Sequence, residues 1–244
     1  MAAIIELKNV SFSAQGRLLA RNVSYEYAEG KTTALVGPSG GGKSTMLKLS
    51  AGLLVPDQGE VCFQGKNIFQ MTRKELLEFR REGAVVFQDS ALWANQSLFQ
   101  ILELPLRIHY PGMSQKEREK RIEAVVAEVG YRKELSIRPA HLSMGEQKLL
   151  AFARALLCRP RLLYLDEWTE SLDDNAAQRL IGLVKHRQEA GDTIVFVSHD
   201  LHIIKELADE IVLILSGRVF LRLTREQVTA DEDLMRYVAK GIAS

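Results

Sequence analysis

Gly37-Pro38-Ser39-Gly40-Gly41-Gly42-Lys43-Ser44-Thr45 decides how this chain is read. The run fits G-x-x-x-x-G-K-[ST]. Glycines let backbone N–H groups turn inward and surround phosphate oxygens with no Cβ in the way. A helix starting at the end of such a loop adds partial positive charge. Lys43 is placed to reach β and γ phosphates, and the Ser44 hydroxyl to ligate Mg²⁺. Upstream, Thr33–Val36 reads as a buried strand; downstream, Met46, Leu47 and Leu49 give a helix an apolar side. Strand, glycine turn and helix are the context the motif requires.

Working outward, Ile4–Phe12 and Asn22–Tyr27 read as strands, and Gly83–Phe87 as another buried strand. From about 90 to 160 the character is helical. Ile122, Val125, Val126 and Val129 fall at i, i+3, i+4 and i+7 and share one helix face. The charged run Lys116-Glu117-Arg118-Glu119-Lys120-Arg121 beside them reads as a solvated face. Alternation of strand and helix then resumes: strand Leu162–Leu165, helix Asn175–Glu189, strand Thr193–Val197, helix Leu201–Leu207. Ser216-Gly217 between Ile211–Leu215 and Arg218–Leu221 is a two-residue hairpin signal. The expected fold is α/β, a phosphate-loop core with a mostly parallel sheet. An antiparallel β subdomain precedes it and an α-helical subdomain is inserted. The boundaries expected are a core over 1–88 and 161–222, a helical subdomain over 89–160, and a tail with a small helix over 223–244, all within one domain of 1–244.

Leu162-Leu163-Tyr164-Leu165-Asp166-Glu167 puts two carboxylates at the C-terminal end of a buried strand. Ligands sit at that edge in open α/β sheets. Asp166 suits holding Mg²⁺, and Glu167 suits polarising an attacking water. By itself the pair reads equally well as a helix N-terminal charge cluster. Ser143-x-x-Glu146 has the spacing of a capping box, which by itself accounts for both residues. A capped helix start also offers N–H donors to a phosphate. Gln88 alone is a surface glutamine, and His199, between Ser198 and Asp200, suits a helix cap.

With these residues in hand, the chain resembles the ATP-binding-cassette (ABC) ATPases over nearly its whole length. The resemblance implies ATP and Mg²⁺ as ligands. Gly37–Thr45 is similar to the family's phosphate loop, with Gly37, Pro38, Ser39, Gly40, Gly41, Gly42, Lys43, Ser44 and Thr45 binding nucleotide. Gln88 resembles the glutamine that reaches the metal and the nucleophilic water. Leu142–Gln147, LSMGEQ, is similar to the signature LSGGQ. Asp166 and Glu167 match the acidic pair, Ser171-Leu172-Asp173 the D-loop, and His199 the switch histidine at the γ-phosphate. The implied catalytic set is Glu167, His199, Gln88 and Lys43, and the implied metal set is Ser44, Gln88 and Asp166. The family works as two such domains sandwiching ATP. Ser143, Met144, Gly145 and Glu146 are therefore expected to face nucleotide held by a second copy or a homologous subunit.

The chain also departs from the pattern. Where the family has an adenine-stacking aromatic, the register from Asn9-Val10-Ser11 gives Ala14, and Phe12 shares the core face of Val10. An aromatic stack on a base is worth about 1–3 kcal/mol in nucleic-acid sites. Weaker or less selective nucleotide binding is expected unless Arg17 or a neighbour covers the base. Met144 stands in place of a glycine, Glu146 in place of glutamine, and Trp168 in place of the proline after the glutamate.

Most of the family energises a membrane transporter. Phe87-Gln88-Asp89-Ser90-Ala91-Leu92, then Ser97-Leu98-Phe99 through to a helix ending at Pro105-Leu106, is most similar to Mla/Mce-type lipid-transport ATPases. Amino-acid import and lipoprotein-type export are the alternatives. The stretch Gln88–Leu106 is where a transmembrane permease is expected to dock. No apolar run approaches the ~18 residues needed to span a bilayer, and MAAIIELKNV lacks a signal-peptide pattern. The expected location is peripheral, on the cytoplasmic face of the membrane.

Composition trims the remaining classes. With 32 basic and 31 acidic side chains the net charge is +1, so no nucleic-acid partner is expected. A cassette protein acting on DNA or translation usually has a second cassette or a long coiled coil, and neither occurs here. A low-turnover regulatory subunit is motivated by Ala14, Met144 and Trp168 and opposed by Lys43, Asp166, Glu167 and His199. A GTPase would need Asn-Lys-x-Asp, which is absent. The two cysteines, Cys62 and Cys158, form no CxxC pair and read as reduced, buried thiols.

Overall fold

The fully buried strand over Thr32–Val36 needs cover on both faces, and the computed structural model, which describes residues 2–230, shows how it is supplied. In chain order the strands are β1 Ala3–Ala14, β2 Arg17–Ala28, β3 Thr32–Val36, β4 Gln58–Phe63, β5 Lys66–Asn67, β6 Gly83–Val86, β7 Leu162–Asp166, β8 Thr193–Val197, β9 Glu210–Leu215 and β10 Arg218–Thr224. The helices are α1 Lys43–Ser50, α2 Arg73–Glu82, α3 Leu98–His109, α4 Gln115–Glu128, α5 Met144–Leu156, α6 Asp174–Glu189, α7 Leu201–Leu207 and α8 Arg225–Ala230.

One sheet runs β10-β9-β3-β8-β7-β6, with β10 antiparallel to β9 and the other pairs parallel. A second, antiparallel sheet runs β2-β1-β4-β5. The period-2 alternation of each parallel strand divides its side chains between two cores. Ala34, Val36, Leu163, Leu165, Ile194 and Phe196 face the core shared with α3 to α7. Leu35, Tyr164, Val195 and Val197 face the core under α1 and the antiparallel sheet. Ile122 and Val126 on α4 are buried, as their spacing requires, while Lys116–Lys120 are largely exposed.

Some elements run differently from expectation. β1 and β2 extend into one long hairpin because Gln15-Gly16 takes φ 51 and 73, which suits a tight turn. β4, β5 and α2 add to the expected elements; α2 starts at a Thr72–Glu75 capping box, and Gln58, Gly59 and Glu60 of β4 are exposed. α3 does not end at Pro105-Leu106 but continues to His109. Leu106 is fully buried with Leu98, Ile101 and Leu102, so the apolar face carries the helix through the proline. Ser216 and Gly217, at φ 49 and 76, form the expected hairpin turn. Cys62 is buried, Cys158 is partly buried, and neither is in a disulfide. Of the tail expected over 223–244, Leu223 and Thr224 end β10 and Arg225–Ala230 form α8; the rest lies outside the described residues. Among the described residues no helix is long and apolar enough to cross a membrane.

Candidate active site

Register fixes the site. Leu35 pairs with Val197, Val197 with Asp166, and Leu165 with Val86, so β3, β8, β7 and β6 end in line. The loops leaving those ends carry Gly37–Ser44, Ser198-His199, Asp166-Glu167 and Phe87-Gln88. Residues far apart in sequence thereby share one edge of the parallel sheet.

The glycine loop wraps back on itself. Lys43 is buried, and its Nζ donates to the carbonyls of Gly37 at 2.8 Å and Pro38 at 2.9 Å. Burial holds its pKa below the ordinary lysine value, against the pull of Glu167 and Asp166. Two of the loop's glycines combine a positive φ with a main-chain clash. A Cβ on Gly37, at φ +142, would lie 2.2 Å from the Ile214 carbonyl oxygen of β9. One on Gly42, at φ +106, would meet the Leu19 carbonyl oxygen at 2.8 Å. The phosphate loop is thus pressed against the β9–β10 turn and the first hairpin.

Ser44 Oγ donates to Asp166 Oδ1 at 2.9 Å. These are hard oxygen donors within one hydrogen bond of each other, and Mg²⁺ in nucleotide sites uses one or two carboxylates plus phosphate oxygens. The donor set therefore fits Mg²⁺ without the cluster of three or more His, Cys, Asp or Glu that is lacking among the described residues.

Glu167 sits at φ 44, a left-handed conformation uncommon outside glycine. Its N–H donates to the Val197 carbonyl at 3.1 Å, and its Oε1 lies 2.8 Å from His199 Nε2. Burial pushes its carboxyl up to about 7, with Lys43 opposing and Asp166 adding. Burial, then Lys43, holds the His199 imidazole below its ordinary value. Such a pair is suited to accept and hold a proton near neutrality. Gln88 Nε2 donates to Glu170 Oε2 at 3.1 Å. Ser44, Gln88, Asp166, Glu170, Ser171 and Met144 line a cleft of about 740 Å³.

Trp168 is fully buried and packs on Phe152 of α5 with ring centroids 5.8 Å apart. It anchors the loop after Glu167 with packing in place of a proline's fixed φ. Phe12 packs part-buried against the antiparallel-sheet core, and Ala14, paired with Arg17, ends β1.

The segment expected to act as the signature lies at the start of α5. Ser143 Oγ accepts from the Glu146 N–H at 3.2 Å, and Glu146 Oε2 accepts from the Ser143 N–H at 3.0 Å, a complete capping box. Lys133 binds the other Glu146 oxygen at 2.7 Å. The Met144 side chain is 71% exposed and free to meet another molecule. A Cβ on Gly145 would lie 3.0 Å from the Ser171 carbonyl oxygen, so the D-loop abuts this helix start. Leu172 packs against the core, and Asp173 caps α6 by accepting from the Ala176 N–H at 2.8 Å.

Lys148 and Arg154 escaped the sequence reading. Lys148, only 3% exposed, donates from α5 to the carbonyls of Gln88, Phe87 and Glu167. Arg154 donates to the carbonyls of Ala91 at 2.6 Å and Ser90 at 3.1 Å. The available signal was periodicity. Lys148 lies four residues before Phe152 and seven before Ala155, on the apolar face of the helix.

Residues 20–170 match the family profile described as ABC transporter. The chain is 34% identical over 232 residues to the intermembrane phospholipid transport system ATP-binding protein MlaF of Haemophilus influenzae, covering 95% of this chain and 88% of MlaF. It is 37% identical over 237 residues to the nickel import ATP-binding protein NikE of Brucella abortus, covering 96% and 87%. The uncharacterized ABC transporter ATP-binding protein YejF of Escherichia coli is 37% identical over 206 residues; the match covers 83% of this chain but only 39% of YejF. Among solved structures, the dimeric post-hydrolysis state of the ATP-binding cassette MJ0796 bound to ADP and Pi superposes with a TM-score of 0.83 at 31% identity, covering 91% of this chain and 98% of that one.

Proposed function

The chain belongs to the ABC transporter family as an ATP-binding, ATP-hydrolysing subunit, and from that premise we propose that two copies close on ATP to drive a membrane permease. The observation carrying this reading is the common edge where β3, β8, β7 and β6 end, with Ser44 on Asp166 at 2.9 Å and His199 on Glu167 at 2.8 Å.

In this mechanism Gly37–Thr45 cradles the triphosphate with main-chain N–H groups, and Lys43 turns from its own loop carbonyls to the β and γ oxygens. Ser44, Asp166 and Gln88 would hold Mg²⁺, which would neutralise charge on the phosphates. Glu167 accepts the proton of the attacking water and His199 orients the γ-phosphate and that carboxyl. Ser143, Met144, Gly145 and Glu146 present the capped start of α5 to the nucleotide of the opposite copy. The Ser171–Asp173 loop lies beside it. Residues 89–160 act as a helical lobe that docks a permease through Gln88–Leu106 and keeps the protein at the cytoplasmic face of a membrane. Light scattering of the Glu167→Gln protein tests the dimer. The mass doubles with Mg-ATP and stays monomeric with Mg-ADP; a monomer under both conditions overturns the reading.

For cargo, the run Phe87–Leu92 and α3, together with the near full-length relation to MlaF, support phospholipid or another lipid. The relation to NikE supports import of a metal ion as the competing cargo. Purification from detergent-solubilised membranes with a multi-span subunit, followed by lipid and metal analysis of the complex, decides between them.

A further inference from the structure

Lys148 is a buried cation to which none of the roles above is assigned. It is 3% exposed, and among the described residues no carboxylate lies within ion-pair distance of its Nζ. Burying a charge with no direct ion pair is costly, and only the carboxylates of Glu170, Asp166, Asp89 and Glu167, all beyond that distance, offset it. Its neighbours on α5 are apolar, with Ala151, Phe152 and Ala155 buried, so a methionine or leucine would fill the space at lower cost. What the ammonium group provides is three donors. It bonds the Gln88 carbonyl and, at 3.4 Å each, those of Phe87 and Glu167. These carbonyls lie just past the ends of β6 and β7, where ladder pairing stops and buried acceptors need other partners.

The two loops so joined are the ones the mechanism needs held still. Glu167 is left-handed at φ 44, as are Ser90 and Ala91 at φ 63 and 45. Such conformations persist only where surrounding contacts over-determine them. Arg154 of the same helix fixes the Ser90 and Ala91 carbonyls, and Phe152 holds Trp168. Of these α5 side chains Lys148 alone bonds to both loops, which Gln88 and Glu170 also join side chain to side chain.

We infer that Lys148 is a positioning residue of the ATPase centre, its ammonium group holding the Gln88 and Glu167 main chains in register with each other and with α5. The inference rests on the roles proposed above for Gln88 and Glu167. Lys148 lines the same cleft as Ser44 and Asp166 but makes none of these bonds to the phosphate loop, so its effect should fall on turnover more than on nucleotide binding.

The test is steady-state phosphate release by the purified full chain with Mg-ATP. Lys148→Met keeps the aliphatic stem and removes the donors. Its kcat is expected to fall at least about ten-fold, on the scale of a misplacement near 1 Å, with KM changing less than about two-fold. Lys148→Arg, which keeps several donors, is expected to recover most of the loss. A Lys148→Met protein with wild-type kcat, or with raised KM and unchanged kcat, overturns the inference. So does failure of arginine to do better than methionine. Should Lys148→Met not fold, Lys148→Gln is read by the same criteria. Hydrogen–deuterium exchange gives a readout independent of turnover. Peptides spanning 87–91 and 167–171 should exchange faster in Lys148→Met, and unchanged exchange there overturns the inference. Failure of the underlying reading looks different: wild type would hydrolyse no ATP, or Glu167→Gln would match it, and the exchange result would still decide the role of Lys148.

Discussion

Gly37→Ala tests whether the phosphate loop is set by close packing or merely by habit of sequence. The added Cβ would sit 2.2 Å from the Ile214 carbonyl oxygen, with the Ile214 carbonyl carbon at 3.2 Å. Neither is the end of a flexible side chain; both are main chain in β9, whose Leu213 pairs with Val36 just before the loop. Relief requires moving a central strand or re-routing the loop. Overpacking of this kind costs about 1–3 kcal/mol. The φ of +142 adds about 1–3 kcal/mol for a residue other than glycine. The sum, about 2–6 kcal/mol, corresponds to a fall in Tm of roughly 4–24 °C for a chain of this size. Gly40→Ala is the control. Gly40 has φ +74 but no atom within 4 Å of the added Cβ, so only the backbone cost of about 1–2 kcal/mol applies. Differential scanning fluorimetry without nucleotide, then with a titration of Mg-ATP, reads both effects. Gly37→Ala should melt below Gly40→Ala and gain less from ATP. If it melts at or above Gly40→Ala, packing against β9 does not shape the loop and the reasoning is wrong.

Trp168→Ala should cost about 3–5 kcal/mol in urea unfolding, because the ring is fully buried against Phe152. Trp168→Phe should cost far less, since it also removes an indole N–H that is buried without a partner; equal losses would contradict this. In protein free of Mg²⁺ and nucleotide, a ¹³C titration of the Glu167 carboxyl should show a midpoint near 7. A folded pKa above the unfolded value of about 4.3 means the folded state binds more protons between those limits, so this group destabilises the fold progressively as pH rises through them. Glu167→Gln should therefore gain stability over wild type across that interval and show no gain below it; a gap independent of pH would refute the burial argument.

The parts of the site that were legible in sequence are those whose chemistry is contiguous. Gly37–Thr45 must be a glycine turn between a strand and a helix, and each requirement leaves its own residue. Asp166 and Glu167 follow an unbroken apolar strand, and the phosphate loop upstream tips their reading from a helix charge cluster to a site. Long-range relations left fainter marks. β4 joins the antiparallel sheet through pairing with β1, and its exposed first half carries no alternation to read. α3 passes through Pro105 because tertiary burial of Leu106 outweighs the local breaking tendency. Ser143 and Glu146 were equally readable as a capping box, and the fold shows that box formed. Lys148 was hidden because a lysine on a helix is ordinarily solvated; only its place on the apolar face of α5 marked it.

In the mechanism proposed, Glu167 serves as the base for water attacking a nucleotide held by Gly37–Thr45. Steady-state phosphate release by wild type and Glu167→Gln at saturating Mg-ATP, with ATP affinity measured in parallel, tests it most directly. Turnover should fall by about 10²–10⁴-fold with affinity retained. A Glu167→Gln protein that binds ATP and turns it over at the wild-type rate would contradict it.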